Sequence, residues 1–216
     1  MVLRSVWLMR DDGGVLAAGM VVMLALGVFP ARRLTGQIMV EVSAGARYST
    51  PLVRDSIVTP FDAGPALAPA VAVTVATPLK RGWAAQISLD FSTSDLWRHN
   101  ADGSSAGLGR VSTAAFTVGL ERRLPAGFSA RIDVGGLKYI PGESSGIFRL
   151  GSGSIAGLGA LALGYAPPVG RRYGFAVEAR YDMHGFTTPA LREEGFASAQ
   201  PVHRVAVMLR ATRGRK

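Results

Sequence analysis

The chain has 216 residues, 48% of them hydrophobic and 18% charged, with no Cys and a formal net charge of +9. The lack of Cys excludes a disulfide scaffold or a thiolate metal centre, and no apolar run of about 20 residues after position 36 offers a second membrane helix. So basic a chain would ordinarily suggest nucleic acid as a partner, but the positions of its charges argue against one.

Arg4 and Arg10 precede an apolar run from Val15 to Phe29, followed by Pro30, Ala31, Arg32 and Arg33. A basic start, an apolar stretch of about fifteen and small residues afterwards predict a secretory signal peptide over residues 1–31. Gly27 and Ala31 are the candidate cleavage points, and Asp11 and Asp12 are foreign to the pattern. An uncleaved anchor helix is the alternative.

From residue 37 the dominant period is two, the signature of β-strands with one apolar face. In 37–49, Val40, Val42 and Tyr48 oppose Glu41, Ser43 and Arg47. In 67–79, Val71, Val73 and Val75 oppose Ala70, Ala72 and Thr74. In 83–94, Trp83, Ile87, Leu89 and Phe91 oppose Gln86, Ser88 and Asp90. In 113–124, Phe116, Val118 and Leu120 oppose Thr117, Gly119 and Glu121, and in 128–140 Ile132 and Val134 oppose Arg131 and Asp133. Segment 154–165 has Gly and Ala on both faces, and its three glycines disfavour a helix. Tyr173, Phe175, Val177, Tyr181 and Met183 then oppose Glu178, Arg180, Asp182 and His184. In 202–212, Val205, Val207 and Leu209 oppose Arg204, Met208 and Arg210.

The connections alternate in length. Leu79–Trp83 and Leu124–Phe128 each enclose a three-residue loop ending in Gly, and Ala166–Arg172 is slightly longer. Long polar connections fall near 49–65, 94–112, 141–153 and 185–201. The two short turns fix a register in which Val75 faces Ile87, Val73 faces Leu89, Leu120 faces Ile132 and Val118 faces Val134. Glu121 then faces Arg131, and the two are expected to pair.

These features predict an all-β chain: an eight-stranded antiparallel up-and-down transmembrane barrel over 37–212, a basic tail over 213–216, and the signal peptide or anchor in front. The polar face is mostly Ala, Gly, Ser and Thr, which suits a narrow lumen better than a soluble exterior. Aromatic girdles are expected at Trp83, Phe128, Tyr165 and Tyr173 on the short-turn side, and at Tyr48, Phe91 and Tyr181 on the other. Eight residues separate Trp83 from Phe91, which at about 3.3 Å each and a tilt of about 40° spans about 20 Å of membrane.

The pattern resembles the small outer-membrane barrels with an OmpA-like transmembrane domain, over residues 37–212. The resemblance implies export to the outer membrane of a Gram-negative envelope, insertion by the assembly machinery there, and short turns facing the periplasm. The last strand departs from it: Arg210–Lys216 is a basic tail without the terminal aromatic such barrels usually carry.

Charges on the polar face form the candidate site: Glu41, Arg47, Asp90, Glu121, Arg131, Asp133, Glu178, Arg180, Asp182, Arg204 and Arg210. Confined charges must be paired or hydrated, so the mixed signs predict a plug, with a polar pore or proton path as the alternative. No catalytic, cofactor or metal site is expected. His184 points inward and His203 outward by parity, His99 lies in a loop, and each histidine is read as a rim residue. The short-turn side carries Lys80, Arg81, Arg122, Arg123, Arg171 and Arg172, then Arg213, Arg215 and Lys216, with anionic lipid head groups as the expected partners. The loops carry no legible ligand motif. The expected function is a non-enzymatic barrel for envelope structure, adhesion or small-solute passage. Its rivals are an outer-membrane lipid enzyme, a transporter of hydrophobic molecules, or a soluble or helix-anchored periplasmic barrel within a larger complex.

Overall fold

A computed structural model describes residues 38–55, 61–167, 173–196 and 198–213. The expected leader, Arg171, Arg172, Arg215 and Lys216 lie outside those residues.

The period-two pattern becomes antiparallel strand: β1 (Met39–Ser49), β2 (Val53–Asp55), β3 (Phe61–Pro65), β4 (Ala68–Pro78), β5 (Trp83–Asn100), β6 (Ser105–Arg123), β7 (Phe128–Pro141), β8 (Ala156–Tyr165), β9 (Tyr173–Phe186) and β10 (Gln200–Arg213). Hydrogen bonding orders them β2-β3-β5-β4-β1-β10-β9-β8-β7-β6, and a β5–β6 pairing closes the ring. Eight strands, β1 and β4 to β10, make the barrel. β3 extends its wall by pairing with the far end of β5, from Phe61 opposite Asn100 to Pro65 opposite Leu96.

The register is the expected one. Val75 lies opposite Ile87 and Val73 opposite Leu89. Leu120 lies opposite Ile132, Val118 opposite Val134, and Glu121 opposite Arg131. In each three-residue turn a backbone bond closes the loop, from Leu79 N–H to the Trp83 carbonyl at 2.7 Å and from Leu124 N–H to the Phe128 carbonyl at 2.8 Å. Gly82 and Gly127 adopt the left-handed conformation (φ 78° and 83°) expected of them. Arg81 and Ala126 adopt it as well (φ 61° and 58°), which their side chains disfavour.

The long connections are more structured than their composition suggests. Most of the 94–112 segment is a two-stranded arm of β5 and β6 around a turn at 101–104, and the 49–65 segment holds β2 and β3. The 185–201 segment carries a short helix, α1 (Pro189–Glu193), capped by the Thr188 hydroxyl, which accepts from Leu191 N–H at 3.3 Å. In the two-stranded arm the backbone pairing of β5 and β6 continues past the segments whose side chains alternate.

Candidate functional site: the filled lumen and its two rims

Closing the sheet turns one face of every barrel strand inward. All eleven predicted lumen charges are buried there, six carboxylates and five guanidiniums, and they are the only buried charged groups among the described residues. At the loop-side end of this cluster, Arg47 holds Asp90 in a bidentate pair at 2.5 and 2.7 Å. Arg47 also lies 3.8 Å from Asp182, which accepts from Arg180 at 2.6 Å and from Arg204 at 2.9 Å. Arg180 continues to Asp133 at 3.2 Å, and Gln86 donates to the same carboxylate at 3.0 Å. Arg131 lies 3.1 Å from Asp133 and 2.7 Å from Glu178. Arg210 closes the turn-side end, 2.7 Å from Glu121, 3.2 Å from Glu41 and 3.6 Å from Glu178. One chain of ion pairs therefore runs from Asp90 to Glu41.

The expected pairing of Glu121 with Arg131 is corrected. Their backbones are opposite, but Glu121 reaches across the lumen to Arg210 while Arg131 reaches Glu178 and Asp133. In a barrel this narrow, a long inward side chain meets strands across the lumen as readily as its neighbours. Small residues make the room. A Cβ on Gly119 would fall 2.0 Å from Asp133 Oδ1, so glycine is required where that carboxylate sits.

Above Arg204 the inward face changes character. Leu52, Val53, Leu96, Val111, Leu137, Tyr139, Phe148, Leu158, Phe186, Leu191 and Val202 form one apolar cluster. Sequence reasoning missed it, although the inward parity of bulky Leu137, Tyr139 and Phe186 was a usable signal. Tyr139 packs edge-on to Phe186 at 4.9 Å, and its hydroxyl meets His184 Nε2 at 2.7 Å. His184 is therefore buried beneath the cap, not the rim residue expected. His203 is half-buried on the outer side and meets the Tyr181 hydroxyl at 2.6 Å. The two histidines do not converge. Among the described residues no group of three or more His, Asp or Glu is arranged to hold a metal ion.

The cap is tied down from above. Thr188 donates to the Ile147 carbonyl at 2.6 Å, and Arg149 bonds Glu194 and, at 3.3 Å, Glu193. The segment carrying Phe148 is thereby fastened to α1.

The outer face is apolar and uncovered: Val42, Val134, Leu163, Phe175, Val207 and Leu209 are each more than half exposed. Monomeric soluble proteins rarely expose a continuous belt of this kind, so the soluble-barrel alternative falls. Phe128 and Tyr165 lie opposite each other with rings 5.0 Å apart at the turn end, and Trp83 is half-buried at the turn end of β5. Tyr48 and Tyr181 both register with Val205 toward the loop end, and Phe91 is half-buried on β5. The backbone of Tyr173 lies opposite that of Arg213 at the turn end. Lys80, Arg81, Arg122 and Arg123 are all exposed on the turn rim.

Filled lumen, apolar belt and closed ladder define the class: a membrane-spanning eight-stranded barrel of the outer-membrane type. Among solved structures, the outer-membrane protein AlkL, determined in lipid bilayers, is similar to this chain at 12% identity with a TM-score of 0.52, covering 86% of this chain and 94% of AlkL. OprG from Pseudomonas aeruginosa is similar at 10% identity with a TM-score of 0.50, covering 84% of this chain and 98% of OprG. No protein-family model and no curated protein sequence matches the chain. The likeness is one of fold.

Proposed function

We propose that this chain is a closed, non-enzymatic outer-membrane scaffold whose barrel anchors a folded cap at the cell surface, in the service of envelope structure or adhesion. The observation that carries the reading is the double seal of the lumen. An unbroken series of ion pairs fills the turn-side part, and the Tyr139–Phe148–Phe186 cluster fills the loop-side part. A solute would have to break buried pairs and displace packed rings to pass. Export is through the secretory pathway and insertion is by the outer-membrane assembly machinery, as the resemblance to small outer-membrane barrels implies. Planar-bilayer recording tests the closure: the native protein should carry no steady current, and a stable ohmic conductance would make the polar face a pore lining instead.

A second reading, passage of an apolar molecule sideways through the wall, is favoured by one feature. The β5–β6 ladder shifts register between Asp95 and Trp97, and an open cleft of about 450 Å³ there is lined by Leu96, Trp97, Gly109 and Glu143, among others. Trp97 and Gly107 are partners across this ladder. A cysteine pair at those two positions, once oxidised, should leave an apolar probe's entry into vesicles unchanged if the wall is closed.

A further inference from the structure

We propose that the turn-side rim is a binding surface for the phosphate groups of anionic phospholipids in the periplasmic leaflet. The short-turn segments and the tail carry nine cations (Lys80, Arg81, Arg122, Arg123, Arg171, Arg172, Arg213, Arg215 and Lys216), which equals the net charge of the chain.

Four of those cations, Lys80, Arg81, Arg122 and Arg123, belong to turns whose side chains are described. The two turns are neighbours, because β5 pairs with β6 and Trp83 lies opposite Arg122. None of the four forms an ion pair with a described residue. The acids toward the turn-side end of the lumen, Glu41, Glu121 and Glu178, turn inward and are held by Arg210 and Arg131. Three of the four exposed loop-side arginines are treated differently, while Arg192 on α1 has no ion pair with a described residue. Arg54 pairs with Asp62, Arg110 with Asp95, and Arg149 with Glu193 and Glu194. Exposure alone therefore does not leave a cation unpaired in this molecule.

The surroundings of these cations select the ligand. The Arg122 guanidinium lies over the Trp83 ring, 5.2 Å from its centroid. Exposed Leu79, Leu124 and Phe128 flank the same two turns, at the edge of the apolar belt. A free cation beside uncovered apolar side chains matches a molecule with an anionic head and a hydrocarbon tail. A soluble acid would leave those side chains in water. The inference requires that the barrel spans a membrane and does not depend on whether its lumen conducts.

Trp83 provides a local readout. The full chain is reconstituted in phosphatidylcholine vesicles holding a minor share of phosphatidylglycerol, with either lipid brominated in turn to quench tryptophan. Subtracting the signal of a Trp83→Phe variant isolates Trp83. Brominated phosphatidylglycerol should quench Trp83 several-fold more than its bulk share predicts, and the excess should fall as NaCl is raised. Combined Lys80→Gln, Arg81→Gln, Arg122→Gln and Arg123→Gln substitutions should cut the excess by half or more, whereas Arg149→Gln should not. Heat-shifted gel mobility checks folding. If the fourfold variant fails that check, Arg122→Gln alone serves. No excess in the native protein, or an excess untouched by the substitutions, overturns the proposal. So does an excess removed by inorganic phosphate but not by chloride of equal ionic strength, which would mark a site for free phosphate.

Discussion

The lumen is filled in two ways along the same inward rows of side chains. On β7 the inward positions run Arg131, Asp133, Gly135, Leu137, Tyr139, and on β9 they run Glu178, Arg180, Asp182, His184, Phe186. Toward the turns the rows are ionic, and toward the loops they become apolar and aromatic. Each half depends on the other. The ion pairs are worth most where water is excluded, and the cap of Phe148, Phe186 and Leu191 excludes it from the loop side. The cap in turn rests on Tyr139 and His184, directly above Arg204, which Asp182 and Thr113 hold in place. Buried charge is weak evidence of net stability, since matched apolar residues can replace it at no cost. The ionic half is better understood as filling a lumen that must also be assembled from a hydrated chain.

Removing Asp182 should break this arrangement most severely. Its carboxylate serves Arg180, Arg204 and Arg47 together. Asp182→Ala leaves three buried guanidiniums short of a partner, and the loss should be at least about 3–5 kcal/mol, read as urea unfolding followed by gel mobility. A loss below about 1 kcal/mol would mean that water already hydrates these groups and that the cap does not isolate them.

The apolar half should fail in another manner. Phe148 sits in a short turn, so Phe148→Ala should cost about 3 kcal/mol, the lower end for a buried ring, without melting the wall. Hydrogen exchange should rise across 142–153 and 187–196 while heat-shifted mobility persists. Loss of the mobility shift would show that cap and wall form one cooperative unit. On the outer face, Val177→Arg near the middle of β9 should cost about 2–4 kcal/mol in lipid. A near-neutral result there would remove the belt from the bilayer.

The inward rows were legible because parity fixes which way a strand residue points, and Glu41, Arg47 and the other nine lumen charges were found that way. Their partners were not. Arg47 and Asp90 belong to strands two apart in the ring, as do Arg131 and Glu178, while Arg210 reaches Glu121 from the opposite wall. Turn geometry sets the register of neighbouring strands only, so contacts across the lumen leave no mark at that level. The cap was hidden for a related reason. Phe148, Leu191 and Phe61 lie in segments with no sustained period, and their burial follows from loops folding back over the barrel mouth.

Glu121 offers the finest test of the difference between register and contact. It lies opposite Arg131 on the backbone, yet its carboxylate is 2.7 Å from Arg210. A double-mutant cycle with Glu121→Gln and Arg210→Met should give a coupling of about 1–3 kcal/mol. The same cycle with Arg131→Met should give a clearly smaller one, transmitted only through Glu178, which touches both arginines. Exchanging Glu121 and Arg131 should not rescue the fold. Arginine at 121 would face Arg210, and glutamate at 131 would face Glu178 and Asp133, which lie 2.7 and 3.1 Å from the arginine it replaces. The exchange should therefore be worse than either single substitution. If it restores stability instead, the two side chains pair along the register after all, and the cross-lumen chain is broken at its turn-side end.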